Sequence, residues 1–467
     1  MNVALRVFYI LVFLFLSLYW IYPIKVEIIN SMPHLFNFVR LLCNVFFITY
    51  IIEIIINLIK GKPINVNRHI WWLIAFLLCA TVSCFYYKEY DLSFNLKWVK
   101  WYAILFSIFL TINNKITLKE NFKTFLIISD VIVFIAFMGC LWSLGQFITS
   151  YNGNVILYGE PILTGIVAGR LYGVYGNPNS LTVFAFVSLV LSCILFHFRK
   201  NKIAKAYYAV SATCQYFGLL LSGSRTSLYS FMVVVGLISV FYCNRIVIKN
   251  KFYKVVGLVV AGVLSSLVFY EACNIVKKGL FYLPYFYQKI VCYSKGDSAT
   301  KQELTPQNPV ERPAFTLSSR DIIWEEYLEI WKTSPWFGIG PQNSMAIAKE
   351  RLSDSALIVR RKFATHNDFL FLLVSFGLIG IIPIIVWFGL TYFDILKFLY
   401  KNRYKDSSYH FLLRMMSCVV VYFLVTGFAE NFIFLLEGWI CGFPYIFFYV
   451  LGNIIYLCNQ EEEFMQE

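Results

Sequence analysis

Apolar runs long enough to cross a lipid bilayer recur along this chain and leave it few ways to fold. A transmembrane helix needs about 20 mainly apolar residues. Runs of that kind lie at 5–24, 38–59, 70–87, 98–113, 124–148, 180–198, 204–222, 226–243, 254–275, 369–396, 409–427 and 432–457. The run 98–113 is the weakest, because Lys100 falls in its first turn. Composition agrees with the pattern: 59% of residues are hydrophobic, 14% are charged and the mean hydropathy is +0.67. Soluble domains carry about 25% charged residues, so this chain cannot cover a water-facing surface. Disorder needs the opposite composition. The expected fold class is an all-α polytopic membrane protein of about 12 transmembrane helices, with one large outer loop carrying short amphipathic helices.

The 40 Lys and Arg against 26 Asp and Glu give a net charge of +14. In a soluble protein that excess would suggest nucleic acid. Here the basic residues concentrate in alternate short loops: Lys60, Lys62, Arg68; Lys115, Lys119, Lys123; Arg199, Lys200, Lys202, Lys205; Arg245, Lys249, Lys251, Lys254; Lys397, Lys401, Arg403, Lys405. Short loops of this kind stay in the cytoplasm, so both termini are expected to be cytoplasmic and no nucleic-acid partner is expected. The first run follows Arg6 without a small-residue cleavage site and reads as a retained anchor. The chain then divides into a membrane part of nine spans over 1–275, a large extracytoplasmic loop over 276–368, and three last spans with a cytoplasmic tail over 369–467. The 12 cysteines fall mostly inside apolar runs, where a thiol behaves as a small hydrophobe. The five histidines are scattered, so neither a metal site nor a disulfide framework is expected.

Within the outer insert, Lys295 to Ser319 is polar and holds Pro306, Pro309 and Pro313, which reads as a mobile loop. A short helix then opens at Ser318-Ser319-Arg320-Asp321. Trp324, Tyr327, Leu328 and Trp331 recur on it at i, i+3, i+4 and i+7, a stripe expected to lie down on the outer membrane surface. Pro335 to Pro341 ends it in a turn.

Polar groups at the outer ends of the spans are the candidates for chemistry. Gly223-Ser224-Arg225-Thr226-Ser227 joins two apolar runs with almost no loop. Arg225 there either snorkels into headgroups or binds an anion at the start of the next helix, where Ser224 also donates. Arg320 sits at a helix N-terminus, unfavourable for the dipole, so another group must hold it; pairing with Asp321 or Glu325 is the plain alternative. His366, in Thr365-His366-Asn367-Asp368, stands at the positive end of a long helix, which favours the neutral form a general base needs; a structural histidine is the plain alternative. Arg170 precedes Tyr175-Gly176-Asn177-Pro178-Asn179-Ser180, whose amides suit sugar hydroxyls. Glu430-Asn431 lies in a short outer hairpin, with Glu437 two turns deeper; Glu430 could balance arginine charge, bind an acceptor hydroxyl or cap a helix. No G-x-x-x-x-G-K-[ST], H-E-x-x-H or G-x-S-x-G occurs, nor an Asp-x-Asp pair to hold a divalent ion. Arginine forks suit phosphate oxygens, and outside the cytoplasm a donor phosphate would belong to a lipid.

Taken in order, Leu221-Ser222-Gly223-Ser224-Arg225-Thr226-Ser227, Arg320 with Trp324, Ser334-Pro335-Trp336-Phe337-Gly338-Ile339-Gly340-Pro341, and His366-Asn367-Asp368-Phe369-Leu370 leading to Gly377-Leu378-Ile379-Gly380 form a pattern. With Gly176-Asn177-Pro178-Asn179 and Ala429-Glu430-Asn431 beside them, the chain resembles the O-antigen ligase and O-antigen polymerase superfamily of bacterial envelope glycosyltransferases, over roughly residues 165–440.

The resemblance implies a helical membrane fold similar to the C-type glycosyltransferases, in the bacterial cytoplasmic (inner) membrane, with an extracytoplasmic active site. It implies an undecaprenyl-diphosphate-linked glycan donor, a glycan or lipid acceptor, and no metal or other cofactor. A chain-length regulator and a flippase would be further partners. Arg225 and Arg320 would hold the lipid diphosphate, and His366 would activate or orient the acceptor hydroxyl. Arg170, Asn177, Asn179, Ser224, Asn367 and Glu430 would bind substrate. The activity expected first is polymerisation of O-antigen, capsule or exopolysaccharide repeat units. Ligation to a lipid core is the alternative, and a non-catalytic transporter or flippase the third, for which Glu53, Asp130 and Asp394 inside the spans are the features to test.

Overall fold

The computed structural model describes residues 2–32, 34–61, 69–111, 117–246, 250–294, 319–405, 407–435 and 442–459. Its order is α1 (Asn2–Tyr19), α2 (Tyr22–Ser31), α3 (His34–Ile59), α4 (Ile70–Tyr86), α5 (Lys88–Leu105), a wide π-type turn (Phe106–Thr111) and α6 (Leu118–Ile148). Three strands follow, β1 (Asn152–Leu157), β2 (Glu160–Val167) and β3 (Arg170–Gly173). Next come α7 (Pro178–Phe198), α8 (Lys202–Leu221), α9 (Arg225–Cys243), α10 (Lys251–Leu280) and α11 (Leu283–Ser294). The rest is α12 (Arg320–Trp331), α13 (Ser344–Arg351), α14 (Leu357–Arg361), α15 (Asp368–Lys401), α16 (Ser408–Gly427) and α17 (Gly442–Asn459).

Among the described residues, 8 helices are long and apolar enough to cross a membrane, or up to 9 if the bent pair α1–α2 forms one span. The chain is thus a largely helical, multi-pass membrane protein. The run 5–24 is not one straight helix, because α1 and α2 meet at a bend of 111°. Within the run 432–457, residues 432–434 form bends, and the helix described there is Gly442–Asn459. Glu437 lies outside the described residues, as does most of the proline-bearing loop.

Burial sorts the helices. The side chains of α7 and α17 are largely enclosed, whereas α3 and α10 leave Ile52, Ile55, Leu58, Val255, Val259 and Leu267 exposed. An aliphatic surface of that extent is untenable in water and suits acyl chains. The α9–α10 pair packs through facing glycines: a Cβ on Gly236 would stand 3.0 Å from the Gly262 carbonyl oxygen, the small-residue contact that lets membrane helices approach closely.

The strands are an addition to the all-α expectation. They form an antiparallel meander in the order β1-β2-β3. Both hairpins turn on two residues with positive φ, Tyr158-Gly159 and Ala168-Gly169, the geometry that matches strand twist. The meander anchors what comes next. The Val174 amide donates to the Ser143 hydroxyl (3.1 Å) and the Val174 carbonyl accepts from the Tyr22 amide (2.8 Å). Gly176, at φ 63°, leaves room for the Tyr22 ring, which a Cβ would meet at 2.9 Å. The α1–α2 elbow is thereby fixed beside the start of α7.

The segment from α12 to the start of α15 folds as a small second core. Ile323, Tyr327 and Ile330 of α12 are buried with Ile339, Ile347, Ile358, Leu370 and Val374. The expected stripe of Trp324, Tyr327, Leu328 and Trp331 is therefore displaced: the buried line runs through 323, 327 and 330, and Leu328 is exposed. Its partners are α13, α14 and α15, so that face meets protein rather than a lipid surface.

Candidate active site

Three helix starts near this small core are capped by side chains named above. Asn177 caps α7, Ser224 caps α9 and Asn367 caps α15, each accepting backbone amides of its own first turn. Such caps satisfy orphan amides, worth about 1 kcal/mol each. α7, α9 and α15 therefore begin, and α16 ends, around one place.

That place is Glu430. Its carboxylate pairs with the Arg320 guanidinium, accepts from Asn179 Nδ2 at 2.6 Å and lies 3.2 Å from His366 Nδ1. Three elements separated by up to 251 residues thus converge on one side chain that is only 6% exposed. A carboxylate can only accept, so Nδ1 of His366 carries the proton and Nε2 is left as the acceptor. A second Arg320 nitrogen reaches the Thr226 hydroxyl at 3.5 Å, which sets Arg320 against the first turn of α9, where Arg225 is the first helical residue. The partner of Arg320 is neither Asp321 nor Glu325 but a carboxylate 110 residues away.

His366 itself sits at φ 47°, a left-handed conformation that costs a non-glycine residue about 1–3 kcal/mol. The surroundings impose it. Asn431 bonds on both sides of the histidine, donating to the Thr365 hydroxyl (2.8 Å) and accepting from the Asn367 amide (3.2 Å). Buried Asp368 accepts the amides of Phe432, Ile433 and Phe434, each at 2.9 Å. From the opposite side α12 holds the same stretch, as Trp324 Nε1 donates to the Thr365 carbonyl (3.0 Å) and the Tyr327 hydroxyl to that of Phe363 (2.9 Å). Burial pushes the Tyr327 hydroxyl up to about 12, so it stays a donor. Sequence reading missed Asn431, Asp368 and Thr365 as the frame of His366; the run Thr-His-Asn-Asp contained them, but not their partners.

The other expected residues are placed as follows. Arg170 Nε donates to the Ser222 carbonyl at 2.9 Å, which stacks β3 on the turn leading to Arg225. Ser224 is buried, with its hydroxyl on Ser227 at 3.1 Å. Asn177 and Asn179 share with His366 and Glu430 the wall of a cavity of about 340 Å³. Among the acids inside spans, Asp130 is held by Arg199 and Tyr208 and Asp394 by His69.

The motif glycines let two backbone segments pair. α15 breaks at Gly377, φ 63°, and the Pro335–Pro341 segment lies against the break. The Ile339 and Gly340 amides donate to the carbonyls of Val374 and Ser375 (3.0 and 2.8 Å), and the Leu378 and Ile379 amides to those of Pro335 and Trp336 (2.9 and 3.0 Å). Backbones this close admit no side chain: a Cβ on Gly377 would stand 2.3 Å from the Trp336 carbonyl oxygen.

Fold and site define a multi-pass membrane protein in which a histidine, an arginine and a carboxylate are brought together at the ends of its spans. Residues 209–385 match the family model described as O-antigen ligase. The match supports the resemblance drawn from the motifs to the O-antigen ligase and polymerase superfamily, over that stretch. The matched stretch contains Arg225, Arg320 and His366. No curated protein matches the chain.

Proposed function

We infer that this protein is a glycosyltransferase of the bacterial cytoplasmic membrane that polymerises repeat units of a surface polysaccharide, taking the growing glycan from undecaprenyl diphosphate at the outer face. The observation that carries the reading is the convergence of Arg320, His366 and Asn179 on Glu430. Negative charge grows on a diphosphate leaving group as its glycosidic bond breaks. Fixed guanidinium groups in a low-dielectric site stabilise that charge without reorganising. Arg320 and Arg225, which adjoins the Thr226 that Arg320 contacts, are the donors available for it; guanidinium has five N–H groups, so Arg320 can serve Glu430 and a phosphate oxygen together. His366, with Nδ1 committed to Glu430, offers Nε2 to the acceptor hydroxyl. The proton leaves the hydroxyl for Nε2 as the hydroxyl oxygen attacks the anomeric carbon, and the lipid diphosphate departs with the bonding pair. One displacement inverts that centre. Asp130 and Asp394 lie in paired networks away from this junction, which favours transfer over ion-coupled transport.

Ligation of the finished glycan to a lipid core uses the same donor chemistry, and the description of the matched family favours it. One assay separates the two. Purified protein in nanodiscs, with chelator present, is given undecaprenyl-diphosphate oligosaccharide as the sole glycan. A ladder of longer lipid-linked products, lost in His366→Ala by about 10²–10⁴-fold in rate, is the expected result. Product only after addition of a lipid-core acceptor would assign the ligase. No product with either acceptor would overturn the transferase reading.

A further inference from the structure

The proposed transfer uses none of the basic residues that crowd the chain just ahead of His366. Arg360-Arg361-Lys362 are three successive cations, all exposed, ending four residues before the histidine. Lys349 and Arg351, in the last turn of the neighbouring α13, are exposed as well. Among the described residues none of these five forms an ion pair. The acids of the same stretch are Glu350, whose carboxylate accepts from the Tyr90 hydroxyl at 2.8 Å, and exposed Asp354. Glu326, from α12, is turned to the other end of α14, where it accepts the Leu357 and Ile358 amides (2.8 and 2.9 Å). We propose that the α13–α14 segment is the contact surface for an acidic glycan chain, held by Arg360, Arg361 and Lys362 as it passes His366. The proposal rests on the transferase reading above and adds a substrate class to it.

Adjacent like charges repel, so a run of three cations is stabilised by an anion laid along it. Membrane orientation does not account for the run. The short loops whose lysines and arginines fit the cytoplasmic rule follow the far ends of α7, α9 and α15. This cluster is instead tied to the Glu430 junction, since Tyr327 holds the Phe363 carbonyl and His366 meets Glu430. Lys362 takes the left-handed conformation, φ 52°, that ends α14. Glycine fills such a position without steric cost and a residue with a Cβ does not, so the lysine side chain is there in spite of the backbone. It stands in the wall of a cavity of about 370 Å³, with Gln342, Ser344, Phe94 and Trp98. That volume is at the small end of the ligand-site range of about 300–1,000 Å³, and aromatic faces beside an amide and a hydroxyl suit a pyranose ring. Ala364 belongs to the wall of this cavity and of the 340 Å³ cavity that holds His366, so a chain bound here adjoins the histidine. A lipid headgroup suits the surface less well. From Phe337 to Leu378 no large apolar side chain is exposed, whereas a segment lying on a bilayer buries an apolar face.

The test uses the full chain in phosphatidylcholine nanodiscs, with binding read by microscale thermophoresis. The probes are an oligogalacturonate and the neutral oligogalactoside of the same length. The acidic chain should bind at least about tenfold more tightly at low salt and lose that margin at high salt, where exposed charges are screened. Arg360→Gln with Arg361→Gln and Lys362→Gln should abolish the preference, and Arg360→Lys with Arg361→Lys should retain it. Lys200→Gln with Lys397→Gln and Lys401→Gln removes as much exposed charge at the opposite end of the bundle and should leave the preference unchanged. Lys362→Gly, which relieves the backbone, should melt no lower than wild type yet bind the acidic chain less tightly, a split that a structural role for the lysine would not give. Equal binding of the two probes, or equal loss in the two triple variants, would overturn the proposal. So would displacement by dihexanoyl phosphatidylglycerol or by pyrophosphate as effective as that by unlabelled oligogalacturonate at matched charge, which would assign the cluster to a lipid headgroup or to the donor diphosphate. His366→Ala should keep the preference. A silent transfer assay with that preference intact would count against the transferase reading alone, and transfer without the preference against this proposal alone.

Discussion

On the proposed mechanism Arg320 has two tasks, balancing the Glu430 carboxylate and stabilising the leaving group. Its guanidinium is 18% exposed and pairs with a carboxylate that is 6% exposed. Removing one partner of such a pair leaves an uncompensated charge, at a cost of about 3–5 kcal/mol, so Arg320→Ala would confound stability with chemistry. Arg320→Lys keeps the charge and removes the planar fork. A lysine can satisfy Glu430 but cannot present a second pair of donors to a phosphate. The expected result is a protein that inserts and melts close to wild type yet loses most transfer activity, checked by comparing rate and melting temperature in the same nanodiscs. Wild-type rates in this variant would reject phosphate clamping by Arg320. Arg320 and His366 were legible in the sequence, as motif positions. Their common partner was not identifiable, because a contact across 110 or 64 residues leaves no local pattern, and Glu430 in a short hairpin reads equally as a cap.

At the scale of elements, helices were the most legible because apolar length is a strong signal, and their breaks were the least. The bend between α1 and α2 falls where Trp20-Ile21 carries no glycine, and the meander of β1–β3 has short strands whose pattern is hidden among apolar neighbours. The displaced stripe on α12 has a similar cause: Ile323 and Ile330 compete with Trp324 and Trp331 for the buried side, and packing on α15 decides for the isoleucines. The glycines of Gly338-Ile339-Gly340 and Gly377, by contrast, were visible as motif letters, and the backbone pairing now supplies their reason. Gly377→Ala would force a Cβ into the Trp336 carbonyl at a positive φ. That should destabilise by at least about 2 kcal/mol, read as a lowered melting temperature in detergent. Gly389, on the same helix with open space around it, is the control: Gly389→Ala should be neutral or stabilising by up to about 1 kcal/mol. Equal effects at the two sites would mean that the pairing of Pro335–Pro341 with the broken helix contributes little.

For the whole molecule, the caps gather three helix starts at one end of the bundle and the basic residues lie at the other. α7, α9 and α15 all start at the Glu430 junction, so their far ends lie across the bundle. Those far ends carry Arg199 and Lys200, Arg245, and Lys397 with Lys401, and α16 starts from the same side, after Lys405. Short basic loops stay in the cytoplasm, which would put the junction, the meander and the small core on the extracytoplasmic face, the face that the proposed lipid-linked donor requires. Sidedness can be measured directly in a variant with its native cysteines replaced by serine or alanine. Ser355→Cys, exposed in the outer segment, should react with a membrane-impermeant maleimide in intact spheroplasts. Lys200→Cys, exposed at the opposite end, should react only after lysis. The reverse pattern would place the Arg320–Glu430–His366 junction in the cytoplasm, where nucleotide-sugar donors are available and a lipid diphosphate is not the required leaving group. Labelling at both sites before lysis would mean that the bundle does not cross the bilayer between them, and the grouping of spans around α7 would then have to be redrawn.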